Sequence, residues 1–214
     1  MQLTLQKLLP IPLRDKITHN SSDIWLQDLS LSKGEHISIQ APSGTGKTTL
    51  VHMLYGLRND YEGTITWDHK ALHQIHVEEL SKMRATYISI VFQDLRLMPE
   101  LTAWENLELK RSLTNTISPE LMEDMMERLG IRDKKHRLTK TLSYGEQQRV
   151  AIIRSLLQPF DWLLMDEPFS HLDHLNIEKA TALIAEIAQR NHAGILLADL
   201  EKNDYFRYHK RMFL

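Results

Sequence analysis

A glycine-containing turn set between a strand and a helix constrains this chain more than any other stretch of it. His36-Ile37-Ser38-Ile39-Gln40 reads as a strand, and Ala41-Pro42-Ser43-Gly44-Thr45-Gly46-Lys47-Thr48-Thr49 leaves it and opens a helix. A strand ending at a helix N-terminus aims consecutive backbone N–H groups at one point, which makes a cradle for an anion such as phosphate. Gly44 and Gly46 permit the φ values and the close approach that such a cradle requires. Lys47 is then placed to reach the β- and γ-phosphates of a nucleotide, and the Thr48 hydroxyl to ligate Mg²⁺. Residues 41–49 are accordingly the candidate nucleotide-binding segment. Ala41 departs from the pattern, which asks for glycine at the first position; its β-carbon would cost about 1 kcal/mol were φ positive there. The bland alternative is a glycine turn with a chance Lys-Thr, and the flanking strand and helix speak against it.

The rest of the chain alternates in the same manner. Tyr87 to Phe92, Trp162 to Met165 and Gly194 to Ala198 are near-continuous apolar runs, the mark of parallel strands covered on both faces. Between them lie helical patterns such as Ile177, Ala180, Leu183, Ile184, Ile187 and Ala188 on one face. Strands alternating with helices predict an α/β fold with a mostly parallel sheet, in a single domain over 1–214. The stretch from about 102 to 142 differs, because it holds helix signals and no strand. Thr102 with Glu105 makes a capping box, and Ser118 with Pro119 starts a second helix. That helix carries Leu121, Met122, Met125, Met126 and Leu129, read as core, before Gly130. The segment is expected to be a helical subdomain inserted into the α/β core. Leu163-Leu164-Met165-Asp166-Glu167 supplies a second half to the site. An apolar strand delivers Asp166 to its carboxyl end, where it can hold Mg²⁺ through water. Glu167 comes beside the γ-phosphate and can polarise an attacking water.

Composition narrows the partners. Lys and Arg number 26 against 28 Asp and Glu, a net charge of -2, which argues against a dedicated nucleic-acid binder. Cysteine is absent, so there is no disulfide and no thiolate metal site. No apolar run approaches the roughly 18 residues needed to cross a bilayer. The Leu8 to Leu13 stretch is too short and too proline-rich for a signal-peptide core. A soluble chain is expected, with any membrane role exerted through a partner.

Leu142-Ser143-Tyr144-Gly145-Glu146-Gln147-Gln148-Arg149 resembles the signature motif of ABC ATPases and lies just upstream of the Asp166-Glu167 strand. Phe92-Gln93-Asp94 is similar to the Q-loop of that family, and Ser170-His171-Leu172-Asp173 to its D-loop. The resemblance runs from about Leu3 to Leu214, with the motifs in order. The compact length and the run Val91 to Pro99 look most like bacterial lipoprotein-releasing and macrolide-export ATPases. The resemblance implies a phosphate-loop NTPase core with an antiparallel β region near the N-terminus. It further implies an ATP-sandwich homodimer in which Ser143 and Gly145 close the γ-phosphate side of the partner's nucleotide. Gln93 would contact Mg²⁺ or the attacking water and report to an integral membrane permease, and Asp173 would bridge the dimer interface. No regulatory domain is expected after a last strand at Lys210 to Leu214.

Several positions depart from the family. Tyr144 stands where it usually has glycine. It usually stacks adenine on an aromatic, yet none lies in Leu9 to Leu13; Trp25 is a candidate, with a buried strand-edge role as its alternative. Its switch histidine aligns with Ala198, while His171 and His174 flank the D-loop, where a solvated role is expected. Leu95, Leu97 and Met98 are either an exposed docking patch or buried against the helical subdomain. The expected function is Mg²⁺-dependent ATP hydrolysis powering a separate membrane subunit, slow in isolation for want of the histidine. The alternative is a degenerate, weakly hydrolysing nucleotide sensor, favoured by Ala41, Tyr144 and Ala198. An ABC-type ATPase acting on soluble assemblies is a third class, and the chain has no room for the coiled-coil insertion of the DNA-acting members. The expected location is the inner face of the cell membrane, reached through the permease.

Overall fold

The computed structural model describes residues 1–17 and 21–214. Nine strands alternate with seven α-helices among them. The strands are β1 (Leu3–Pro10), β2 (Asp28–Leu31), β3 (His36–Gln40), β4 (Tyr61–Trp67), β5 (Lys70–Ala71), β6 (Ile88–Val91), β7 (Trp162–Asp166), β8 (Gly194–Asp199) and β9 (Lys210–Phe213). The helices are α1 (Arg14–Ile17), α2 (Lys47–Leu54), α3 (Val77–Thr86), α4 (Ala103–Arg111), α5 (Pro119–Arg128), α6 (Tyr144–Leu156) and α7 (His174–Asn191).

The apolar runs pair as parallel strands in the order β6-β7-β8-β3-β9. Each of β6 and β7 is buried along its whole length, which is what a strand covered on both faces demands of its sequence. One face packs on α2 through Ile37, Ile39, Leu164 and Leu196; the other packs on α6 and α7 through Leu163, Met165, Ile195 and Leu197. A second sheet, β2-β1-β4-β5, is antiparallel and closes the α2 side with Leu3, Leu5, Ile65 and Trp67. The antiparallel region near the N-terminus is therefore present.

Between Val91 and Trp162 the described residues form helices and turns, with a single isolated bridge from Thr102 to Leu138. The Thr102–Glu105 capping box is made in both directions, and Ser118 caps α5 with Pro119 in its first turn. Both caps satisfy backbone N–H groups that a helix start leaves without partners. Met122, Met125 and Met126 are buried with Leu107 of α4 and Val150 of α6, as core rather than as a binding stripe.

Candidate functional site

The site forms where β3, β7 and β8 end. Their register is direct: Ile39 pairs with Ala198, and Ala198 pairs with Asp166. The turn after β3 is tied to this edge by Ala41 N–H donating to the Asp199 carbonyl at 3.0 Å, and Glu167 N–H donates to the Ala198 carbonyl at 2.9 Å. Residues after three neighbouring strands thus meet at one point, and α2 starts there at Lys47.

Gly44 and Gly46 take φ of 77° and 112°, a left-handed region costly for any residue with a β-carbon. Gly46 is also needed for space, since a β-carbon there would come 2.7 Å from Leu13 Cδ1 and 3.1 Å from the Trp25 ring. Ala41 is buried and is not among the residues of positive φ, so its methyl carries no backbone penalty. Trp25 is buried in the turn before β2, with its ring against Gly46.

Lys47 is only 5% exposed. Its ammonium donates to the carbonyls of Ala41 at 2.7 Å and Pro42 at 3.1 Å, and pairs with Glu167 Oε1 at 3.4 Å. Thr48 Oγ1 donates to Gln93 Oε1 at 3.1 Å, which joins the Q-loop to the first turn of α2. Ser43, Gly44, Gly46, Lys47, Thr48, Thr49, Gln93 and Glu167 share a cavity of about 240 Å³ with Leu13. Leu13 carries no sequence signal for a lining role, because the pattern at that place marks an aromatic and not a leucine. Pro42 and Thr45 bond to one another across the turn, Thr45 N–H and Oγ1 both donating to the Pro42 carbonyl.

Asp166 is 1% exposed, and neither of its carboxylate oxygens has a hydrogen-bond partner among the described residues. Burial pushes its carboxyl up to about 6; the Thr48 hydroxyl, already donating to Gln93, offsets only part of this. Two bare carboxylate oxygens beside a threonine hydroxyl are a fit for a hard dication, which takes oxygen ligands. Glu167 sits at φ 46° with its carbonyl accepting from the Gln148 amide at 3.3 Å, a strained backbone held by its surroundings.

Ala198 is wholly buried on the face that Ile39 and Asp166 also occupy, against α2. Its methyl has no donor to offer a phosphate, and the next residue at the strand end is the half-buried Asp199. That carboxylate accepts from Leu200 N–H at 2.8 Å and Asn203 Nδ2 at 3.1 Å. Burial raises its pKa, the charge of Glu167 adding to the effect.

Ser143, Gly145 and Asp173 do not join this cavity. Ser143 is the N-cap of α6, accepting from Glu146 N–H, and Asp173 is the N-cap of α7, accepting from Asn176 N–H; both are exposed. A β-carbon on Gly145 would lie 2.9 Å from the His171 carbonyl, so the signature helix and the D-loop require glycine there for contact. The His171 ring lies tilted against that of Tyr144, while His174 is a surface residue paired with Glu178. Leu95 is buried, Leu97 packs partly on the core and Met98 is 54% exposed, so the segment after Gln93 divides between burial and display.

The family described as ABC transporter matches residues 27–170, more than half of the chain. The chain belongs to the ABC transporter family. The lipoprotein-releasing system ATP-binding protein LolD of Bacteroides thetaiotaomicron is 37% identical over 166 residues, covering 76% of each chain. LolD of Legionella pneumophila is 32% identical over 173 residues, 79% of this chain and 76% of the relative. YbbA of Escherichia coli, an ABC transporter ATP-binding protein, is 34% identical over 182 residues, 84% and 79% of the two chains. A bacterial ABC transporter cassette solved as a dimer superposes with a TM-score of 0.77 at 25% identity, over 93% of this chain and 88% of that one. A post-hydrolysis dimer of that cassette with ADP and phosphate gives 0.76. This ABC chain is thus an ATP-binding, ATP-hydrolysing transporter subunit, and the degenerate reading finds no support in its relatives. No helix among its described residues is long and apolar enough to cross a membrane.

The buried Asp166 gives a pH test. A folded-state pKa raised from 3.8 to about 6 means that the ionised carboxylate opposes folding. The penalty is full above about pH 6 and gone below the unfolded value, and is worth about 3 kcal/mol. Urea unfolding of Asp166→Asn beside the unaltered protein should show the stability difference moving toward the variant by roughly 2–3 kcal/mol between pH 4 and pH 7. A difference constant with pH would show that Asp166 does not titrate in this way.

Proposed function

We propose that two copies of this chain close head to tail on two ATP molecules and that the closure drives a membrane permease. In this reading residues 41–49 hold the triphosphate, with Lys47 exchanging its loop carbonyls and Glu167 for phosphate oxygens. Thr48, Gln93 and Asp166 would hold Mg²⁺, which supplies charge neutralisation at the β- and γ-phosphates. Glu167, released from Lys47, orients the attacking water as a general base. Ser143, Gly145 and Asp173 act on the other copy's nucleotide. The observation that carries the reading is their placement: all three lie outside the cavity of their own chain, with Ser143 and Asp173 exposed at helix starts. An anion from a second copy is what an exposed helix N-terminus with a serine cap suits. The stretch 102–142 is read as the helical subdomain that carries this face.

The Glu167→Gln variant keeps shape but loses the base, so it should hold ATP unhydrolysed. Size-exclusion chromatography of that variant should show an ATP-dependent dimer, and adding Ser143→Arg should return it to monomer. A monomer in both cases, with ATP bound, would count against the sandwich.

Turnover of the isolated chain is proposed to be slow. The strand end presents the Asp199 carboxylate, where a hydrogen-bond donor would steady charge on the γ-phosphate. Asp199→His should raise turnover at saturating ATP by ~10²-fold. A flat or lower rate would mean that another group already supplies the donor.

In this reading the membrane partner docks on a groove of about 270 Å³ between the Q-loop and α4. Arg96, Lys110 and Arg154 line it with no carboxylate among the lining residues, beside the exposed Met98, Leu109 and Leu113. Burial pushes the Lys110 ammonium down to about 8, with Arg154 adding to the effect; Arg96 is already paired with Asp94, so an acidic side chain on the partner would pair with Lys110. The chain would then be peripheral to the cytoplasmic face of the membrane. Lys110→Glu should abolish recovery of an integral membrane protein with the tagged chain from detergent extracts, at an unchanged melting temperature. Recovery equal to that of the unaltered chain would move the docking site elsewhere.

A further inference from the structure

Tyr144 stands at a place where the family resemblance leads one to expect glycine, and it makes contacts that glycine cannot make. It is the first residue of α6, directly after the Ser143 cap. Its hydroxyl donates to the Gln93 main-chain carbonyl at 3.0 Å. Its ring lies 4.2 Å from the His171 ring, centroid to centroid. One side chain therefore touches the Q-loop, the signature helix and the D-loop together. The Gln93 carbonyl it holds belongs to the residue whose side chain accepts from Thr48 Oγ1 at 3.1 Å.

The Q-loop needs such a restraint. Leu95 and Arg96 follow Gln93 with φ of 56° and 49°, a left-handed pair without glycine. Their carbonyls accept from the guanidinium of Arg154, which lies on the same helix as Tyr144, at the other end. α6 thus grips the loop at Gln93 with its first residue and at Leu95 and Arg96 with its last turn. Gln148, midway along α6, donates to the Glu167 carbonyl and accepts from His171 N–H, so the helix keeps the D-loop even if Tyr144 is altered.

We propose that Tyr144 is a positioning residue that ties Gln93 to the signature helix, so that the metal-side glutamine of one nucleotide site and the Ser143–Gly145 edge offered to the other site move as one body. The inference rests on the reading of Gln93 as a Mg²⁺-side residue. Losing the hydroxyl leaves the Q-loop free at its first point of attachment, and the Gln93 side chain is then less well placed beside Thr48. Nucleotide held without metal does not depend on that placement.

The test is ATP affinity, measured with a fluorescent ATP analogue in Mg²⁺ and again in EDTA, with Glu167→Gln in every chain to prevent hydrolysis. Tyr144→Phe keeps the ring on His171 and removes only the hydroxyl. It should weaken binding in Mg²⁺ by about 3- to 10-fold, the worth of one neutral hydrogen bond, and leave binding in EDTA unchanged. Tyr144→Gly should do the same. In a chain that also carries Gln93→Ala, Tyr144→Phe should cost nothing further, because its effect runs through Gln93. Mg²⁺-dependent affinity equal to that of the parent would overturn the proposal, and so would a full further loss in the Gln93→Ala chain. A lowered melting temperature with equal losses in Mg²⁺ and EDTA would assign Tyr144 to packing instead. A parent chain that binds no analogue in either buffer would overturn the nucleotide reading itself.

Discussion

The direct register across β3, β8 and β7 is the constraint on which the rest of this ABC chain depends. Ile39, Ala198 and Asp166 stand side by side in neighbouring parallel strands, so the chain leaves all three strands at one edge. That edge is where the phosphate loop, Asp166, Glu167 and Asp199 meet. A slip of one residue in any of the three would turn its side chains to the opposite face. Asp166 would then point into the α6 and α7 side of the sheet, away from Thr48. The burial of both sheet faces makes such a slip costly, because every residue of β7 is packed.

Electrostatics at that edge is balanced but not relaxed. Lys47 is buried, with its ammonium against two loop carbonyls and the Glu167 carboxylate. Asp166 is buried with no hydrogen-bond partner for its carboxylate among the described residues, and Glu167 sits in the left-handed region. Each feature opposes stability, since an unpartnered buried carboxylate and a strained backbone both cost free energy. They occur together where a multiply charged ligand and a cation would resolve them. Fold stability in this region is exchanged for a site arranged before its ligand arrives, and the surrounding sheet supplies the difference through its apolar burial.

Helix α6 links this edge to the surfaces that face outward. Its first turn presents Ser143 and Gly145, its middle holds the backbone of Glu167 through Gln148, and its last turn holds the Q-loop through Arg154. A displacement at any of these points acts on a rigid element with hydrogen bonds at both ends. Lys110, on α4 where it packs against α6, lines the cationic groove together with Arg154. The groove and the nucleotide edge are therefore connected through one helix rather than through loops alone.

The phosphate loop, the Asp166–Glu167 pair and the family were all legible in the sequence, because each is a local pattern. The fold class was legible for the same reason: β6, β7 and β8 are near-continuous apolar runs, which suit a parallel sheet covered on both faces. Helix starts at Thr102 and Ser118 were likewise local, a cap and its partner within one turn. What could not be read was anything set by the side of a strand on which a residue falls or by contacts between distant segments. Alignment puts Ala198 at the switch position, and only the register shows it level with Ile39 and Asp166 at the strand ends. The left-handed φ of Glu167 and the bare carboxylate of Asp166 follow from how distant segments pack, and the bond from Tyr144 to Gln93 joins residues far apart in the chain. The sequence by itself determined which chemistry is present and on which elements, since motif spacing and periodicity are properties of neighbours in the chain. Only the tertiary structure decided which groups are buried, paired or left without a partner, since those follow from packing between elements that the chain order does not encode.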